Sequence, residues 1–182
     1  GEYEKKHSLC FGLGIGGKYV DHGAPLEPAK LLDGKWHLVS VTFDGKAIKF
    51  YADGQEIGVK TATGSIDTQG EAPAYIGSDI GTREFFKGGI DDVRLYNRAL
   101  SAGEIKTMAL AEGKAAVNGI VGWWKLDGDL KNSAAKTATG SVAQFRGVDR
   151  KWKATPLSLG GSQLDIRAAG EAAVRVTIRP ID

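Results

Sequence analysis

The stretch DGKWHLVSVTFDGKAIKFYADGQEIG, from Asp33 to Gly58, leaves this chain few folds to choose from. Apolar and aromatic residues alternate on both sides of two Asp-Gly pairs, Asp44-Gly45 and Asp53-Gly54. Alternation with a period of two marks strands that bury one face. Asp-Gly suits a two-residue hairpin because both central residues then need positive φ, which Gly and Asp tolerate best. The stretch therefore predicts a meander of three antiparallel strands.

The remainder of the chain supports an all-β reading. With 182 residues it can bury one large core without staples, and its 26 glycines against 5 prolines suit a fold with many turns. HSLCFGLGIGGKYVDHG, at the start, reads as two strands around a glycine pair. Gly12-x-Gly14-x-x-Gly17 formally matches a dinucleotide-binding fingerprint, but KYVDHGAPLEP after it has two prolines and no helical period. The fingerprint needs a helix there to receive phosphate, so a glycine-rich strand and turn is the expectation. PAYIGS and FFKGGIDDVRLYN read as further strands. One helix is expected, from Ser101 to Glu112: Ser101-Ala-Gly-Glu104 forms a capping box, Leu100 and Ile105 sit at staple positions, and Gly113 is a natural stop.

Charge and cysteine content remove several classes of function. A net charge of +2 gives no electrostatic case for nucleic acid. No run of about 18 apolar residues is present, so no helix is expected to insert into a membrane. The single cysteine, Cys10, rules out an intrachain disulfide and reads as a buried, inert thiol in an apolar strand.

The Trp-His opening at Trp36-His37, the Thr-Phe-Asp-Gly turn, the Tyr-x-Asp-Gly-x-x-x-Gly turn and the later block GGIDDVRLYNRALSAGEI (Gly88 to Ile105) resemble the laminin-G-like family of concanavalin A-like jelly-rolls. The resemblance implies a two-sheet antiparallel sandwich with one short helix. It also implies an unusual order. GIVGWWKLDGDLKNSAAKTATG (Gly119 to Gly140) resembles the family's opening strand, and PLSLGGSQLDI and EAAVRVTIRP resemble the elements that follow it. Residues 1–100 would then be later strands, 101–118 the helix and a linker, and 119–182 the opening strands of one permuted sandwich. The alternative is a cut through a tandem array that leaves two partial domains. Half a sandwich would expose open strand edges, which favours one complete domain, closed within the chain or by swapping with a neighbour.

Candidate chemistry is sparse. The resemblance implies a structural calcium ion with Asp91 as a ligand, and LDGDLKNS offers Asp127, Asp129 and Asn132 as further oxygen ligands suited to a hard cation. The competing reading is an Asp–Arg pair or turn caps. If Val93 and Leu95 face the core, a period of two puts Asp91 on that same face, where a carboxylate needs a cation or several donors. His7, His22 and His37 show no metal-ligand spacing. No Glu-x-Asp-x-Glu run of the family's hydrolases occurs, so no catalytic residue is assigned. RGVDRKWK gathers Arg150, Lys151 and Lys153 around Trp152, which reads either as a solvated basic loop or as a stacking indole with cations for acidic sugars. Trp123 and Trp124 are adjacent, so in a strand one faces the core and the other can form a surface platform. The expectation is a non-catalytic glycan-binding module of a secreted or cell-surface protein. A structural or protein-interaction module with an extracellular protein partner, and a glycoside hydrolase, are the alternatives.

Overall fold

The computed structural model describes residues 8–25, 31, 33–67, 76–77, 86, 88–110, 118–128, 131–134 and the backbone of 172–180. Its elements in chain order are strands β1 (Ser8–Ile15), β2 (Lys18–Pro25), β3 (His37–Phe43), β4 (Ala47–Ala52), β5 (Gln55–Thr61) and β6 (Gly88–Tyr96), helix α1 (Ala102–Leu110), then β7 (Ile120–Trp124) and β8 (Ala172–Pro180). β1 and β2 form a two-stranded sheet, and the other six pair in the order β5-β4-β3-β8-β6-β7. Every pairing is antiparallel.

The expected meander is β3-β4-β5, but its two turns differ. Asp53 and Gly54 both have positive φ, 48° and 80°, as a two-residue hairpin of matching twist requires. Asp44-Gly45 instead begins a wider loop, residues 44–46. There the Asp44 Oδ1 accepts the N–H groups of Lys46 and Ala47, and only Gly45 has positive φ. The aspartate's own carboxylate satisfies the donors that a tight turn would have paired. At the start of the chain, Gly16 and Gly17 make the β1-β2 turn, with β2 following rather than a helix. The fingerprint reading of these glycines therefore fails for want of a helix N-terminus.

Strand periodicity explains the layers. In β1, Leu9, Phe11, Leu13 and Ile15 share a face and pack on Val41 and Phe43 of β3 and on Ile48 and Phe50 of β4. The β1-β2 hairpin thus covers one face of the large sheet. Cys10 falls on the opposite parity and is exposed, which corrects the expectation of a buried thiol. The other face of β3-β4 carries Leu38 and Tyr51, which join Tyr96 of β6 and Leu100, Ile105 and Met108 under α1. Covered on both sides, β3 is buried along its whole length. Each Phe or Ile buried in this way contributes about 1.5–3 kcal/mol.

The capping box forms as the sequence predicts. Ser101 Oγ accepts the Glu104 N–H at 3.2 Å, and Glu104 Oε2 accepts the Ser101 N–H at 2.8 Å. Arg98 adds two donors to the Glu104 carboxylate, at 2.6 and 3.0 Å.

β8 is the strand that joins the large sheet. Its residues 172–178 pair with β3, and its residues 173–180 pair with β6. β7 pairs with β6 on the outer side. Strands from the last third of the chain therefore complete a sheet begun in the first third.

Candidate functional site

The register brings the chemistry-bearing residues to one end of the six-stranded sheet. β3 and β6 start there, β7 and β8 finish there, and the β4-β5 turn lies beside them. Four features lie toward this end: the segment 33–36 and the Asp53-Gly54 turn on the β3 side, and the start of β6 from Gly88 to Asp92 with the loop after Trp124 on the β6 side.

His37 organises the first two. Its ring is 7% exposed. Nδ1 lies 2.9 Å from Asp53 Oδ2, and Nε2 lies 2.9 Å from Asp33 Oδ1. Asp53 is also tied to β3 through its Oδ1, which accepts the Leu38 N–H, and through its own N–H, donated to the Leu38 carbonyl. Asp33 accepts the Lys35 N–H and meets the Lys35 ammonium at 3.1 Å. The hydrogen bond from His37, followed by that from the Lys35 backbone, holds the Asp33 carboxyl well below the ordinary carboxylate range. Burial works against a charged His37, but the bonds to Asp33 and Asp53 outweigh it and hold the imidazole above its ordinary value.

Trp36, next in the chain, is 46% exposed. The six-membered part of its indole rests on Gly89 of β6, where an added Cβ would come within 2.5 Å of the ring. Gly89 is thus the space that lets the ring lie against the sheet while much of its surface stays open to solvent. Trp-His reads in sequence as strand opening, and nothing in it shows that β6 supplies a glycine beneath the indole. That contact crosses more than fifty residues of chain.

At β6 the ladder to β8 is interrupted. Asp91 pairs with Thr177 and Arg94 with Arg175, so two residues of β6, Asp92 and Val93, stand against one of β8. Asp92 takes positive φ, 51°. This bulge breaks the period of two that would have carried Asp91 onto the face of Val93. Asp92, rather than Asp91, meets the buried guanidinium. Arg94, 1% exposed, donates through Nε and Nη2 to the two Asp92 oxygens at 2.9 Å each. Trp123 Nε1 donates to Asp92 Oδ1 at 2.7 Å. The Trp123 ring stacks with Arg94 and Lys125, 4.5 and 4.8 Å from its centroid. Its neighbour Trp124 points into the core beside Val93, so the two tryptophans do face opposite ways.

The calcium expectation meets a partial set of groups. Asp91 is half-buried, and its Oδ1 accepts the Asp92 N–H. Asp127 is exposed, and Asp129 lies outside the described residues. Asn132 uses its Oδ1 for the N–H groups of Trp123 and Ala134, which pins the returning loop to β7. Among the described residues no three His, Cys, Asp or Glu side chains gather to hold a metal. The described groups therefore do not by themselves build a hard-cation site, and no chemistry is routed through one. Trp152, Arg150, Lys151 and Lys153 also lie outside the described residues. No helix among the described residues is long and apolar enough to cross a membrane.

The Asp33 and Asp53 carboxylates are both engaged by one imidazole, and that of Asp92 by a guanidinium and an indole N–H. What faces solvent includes the Trp36 indole, Lys35 and about half of the Asp53 side chain. In comparisons with known proteins, a laminin-G-type family model, described as the concanavalin A-like lectin/glucanases superfamily, matches residues 6–106. No curated protein and no solved structure matches the chain.

Proposed function

Because the chain belongs to the concanavalin A-like lectin/glucanases superfamily, we propose that it is a non-catalytic carbohydrate-binding module of a secreted or cell-surface protein. The observation that carries this reading is Trp36, a residue 46% exposed whose indole is seated on Gly89, at the polar end of the sheet. An indole offers a flat apolar surface to the C–H face of a sugar ring, while polar neighbours take its hydroxyls. Lys35 and Asp33 stand next to it for that purpose. The basic sequence around Trp152, with Arg150, Lys151 and Lys153, is the second place where an acidic glycan would be held.

A glycan array with and without calcium tests the reading, using the wild-type chain and the variants Trp36→Ala and Trp152→Ala. Trp36→Ala is expected to weaken binding tenfold or more, which is about 1.4 kcal/mol, while the chain stays folded. Loss in Trp152→Ala alone moves the site to the basic sequence around that residue. Unchanged binding in both variants overturns the aromatic-platform reading. No binding to any glycan moves the weight to a protein-interaction module. A response to calcium alone brings Asp91, Asp127 and Asp129 into the site.

A further inference from the structure

We propose that His37 is a pH-operated latch on the Trp36 surface: with a proton on both ring nitrogens it ties Asp33 to Asp53 and holds segment 33–36 in place, and loss of one proton releases Asp33. The consequence for ligand binding rests on the carbohydrate reading above, whereas the latch itself does not.

The geometry allows both contacts only in one protonation state. Both ring nitrogens lie 2.9 Å from a carboxylate oxygen. A carboxylate only accepts, so each nitrogen must donate, and only the imidazolium has two N–H groups. Neutral imidazole turns a lone pair toward one of the two carboxylates, and that contact becomes repulsive.

The structure also decides which contact yields. Asp53 is fixed in the β4-β5 turn by a reciprocal pair of bonds with the Leu38 backbone, at 2.8 and 2.9 Å. Among the described residues, Asp33 has only local partners besides His37, namely the Lys35 N–H and ammonium. It sits in a loop segment before β3, next to Gly34 at a φ of 76°. The neutral ring therefore keeps its proton toward Asp53, and Asp33 leaves. Trp36 lies between Asp33 and His37 in the chain, so the segment that loosens carries the indole.

The carboxylates around the ring favour its charged form, and the nearby lysines oppose it. Asp33 faces it from the preceding segment and Asp53 from the β4-β5 turn. The Lys35 ammonium stands behind Asp33. Across the ladder β8 places Ile178 opposite His37, and Lys106 of α1 packs at Gly54 on the far side of the turn. The folded imidazole is held above its ordinary value. The latch is then fully closed below about pH 6.5, the ordinary value for histidine, and opens as pH rises through the folded value. The depressed Asp33 carboxyl sets the acid side: its contribution is present above its ordinary value and is lost as pH falls below it.

Imidazole and amide nitrogen-15 spectra of the whole chain, recorded from about pH 5 to about pH 9 across the histidine range, test the latch without any ligand. Both His37 nitrogens are expected to be protonated at the acid end, with a midpoint above about 6.5. The amides of Asp33 to Trp36 should move with that midpoint, and those of Asp53 and Gly54 much less. In Asp33→Asn the midpoint should fall, and in His37→Gln the pH dependence of the segment should vanish. A His37 that is neutral at pH 5, or that titrates while the 33–36 amides stay still, overturns the latch. Where the array yields a glycan, its affinity should fall across the same pH range in the wild type and stay flat in His37→Gln. A chain that binds no glycan but shows the coupled titration defeats the carbohydrate reading and leaves the latch standing.

Discussion

Asp92 shows how much one residue's backbone can decide. At a φ of 51° it occupies a conformation that Asn and Asp tolerate far better than branched residues, and from there its carboxylate reaches both Arg94 and the Trp123 N–H. Asp92→Asn keeps the shape and the backbone preference but strands a buried guanidinium. Removing one partner of a buried pair costs roughly 3–5 kcal/mol, so thermal denaturation of this variant should show a loss of order 10 °C in melting temperature. A change within about 2 °C would mean that the pair is not what holds the bulge. Gly89 poses a steric question instead. Gly89→Ala puts a methyl group where the Trp36 ring now lies, so the Trp36 indole N–H resonance should shift and stability should drop by about 1–3 kcal/mol, the usual cost of overpacking. The sequence contains both residues in plain view, but period counting picks Asp91 for the face of Val93, and the bulge overturns it. Only the two-against-one pairing with β8 tells them apart.

Most elements whose partners are close in the chain behave as their local sequence predicts. The capping box of α1 is legible because Ser101 and Glu104 are three residues apart. Ser101→Ala should cost about 1 kcal/mol, or about 2–4 °C in melting temperature for a chain of this size. Arg98, then the Ser101 backbone, hold the Glu104 carboxyl down to about 2. Its stabilisation is present above the ordinary glutamate range and is lost as pH falls toward 2, so the Glu104→Gln variant should melt lower than wild type at pH 7 and nearly equal to it in strong acid. Parallel melting curves at several pH values would check this, and a pH-independent gap would contradict it. The Asp53-Gly54 turn was equally legible. The Asp44 loop was not, because side-chain capping of Lys46 and Ala47 competes with the tight turn on nearly equal terms.

At the scale of the molecule, β8 is the critical strand. It lies between β3 and β6 and hydrogen-bonds to both. Deleting residues 172–182 should leave two ladders with unpaired edges, the β3-β4-β5 meander on one side and β6-β7 on the other. Exposed edges recruit other chains, so size-exclusion chromatography should find the truncated chain aggregated, and circular dichroism should show no cooperative melting. A truncated chain that stays monomeric and melts cooperatively would show that the two halves hold together through the core under α1 and the Trp36–Gly89 contact.

Short-range features were determined by the sequence itself. Alternation defined the strands and the faces they bury, Asp-Gly and Gly-Gly marked the turns, and the capping box began the helix. These depend on residues within a few positions of one another, where covalent geometry leaves few choices. Only the tertiary structure decided what meets at the end of the sheet. Gly89 beneath Trp36, Asp53 across His37 from Asp33, and Asp92 rather than Asp91 against Arg94 all depend on strand register. Register is set by the burial of whole faces, and a single extra residue at a bulge is enough to move a side chain from one face to the other.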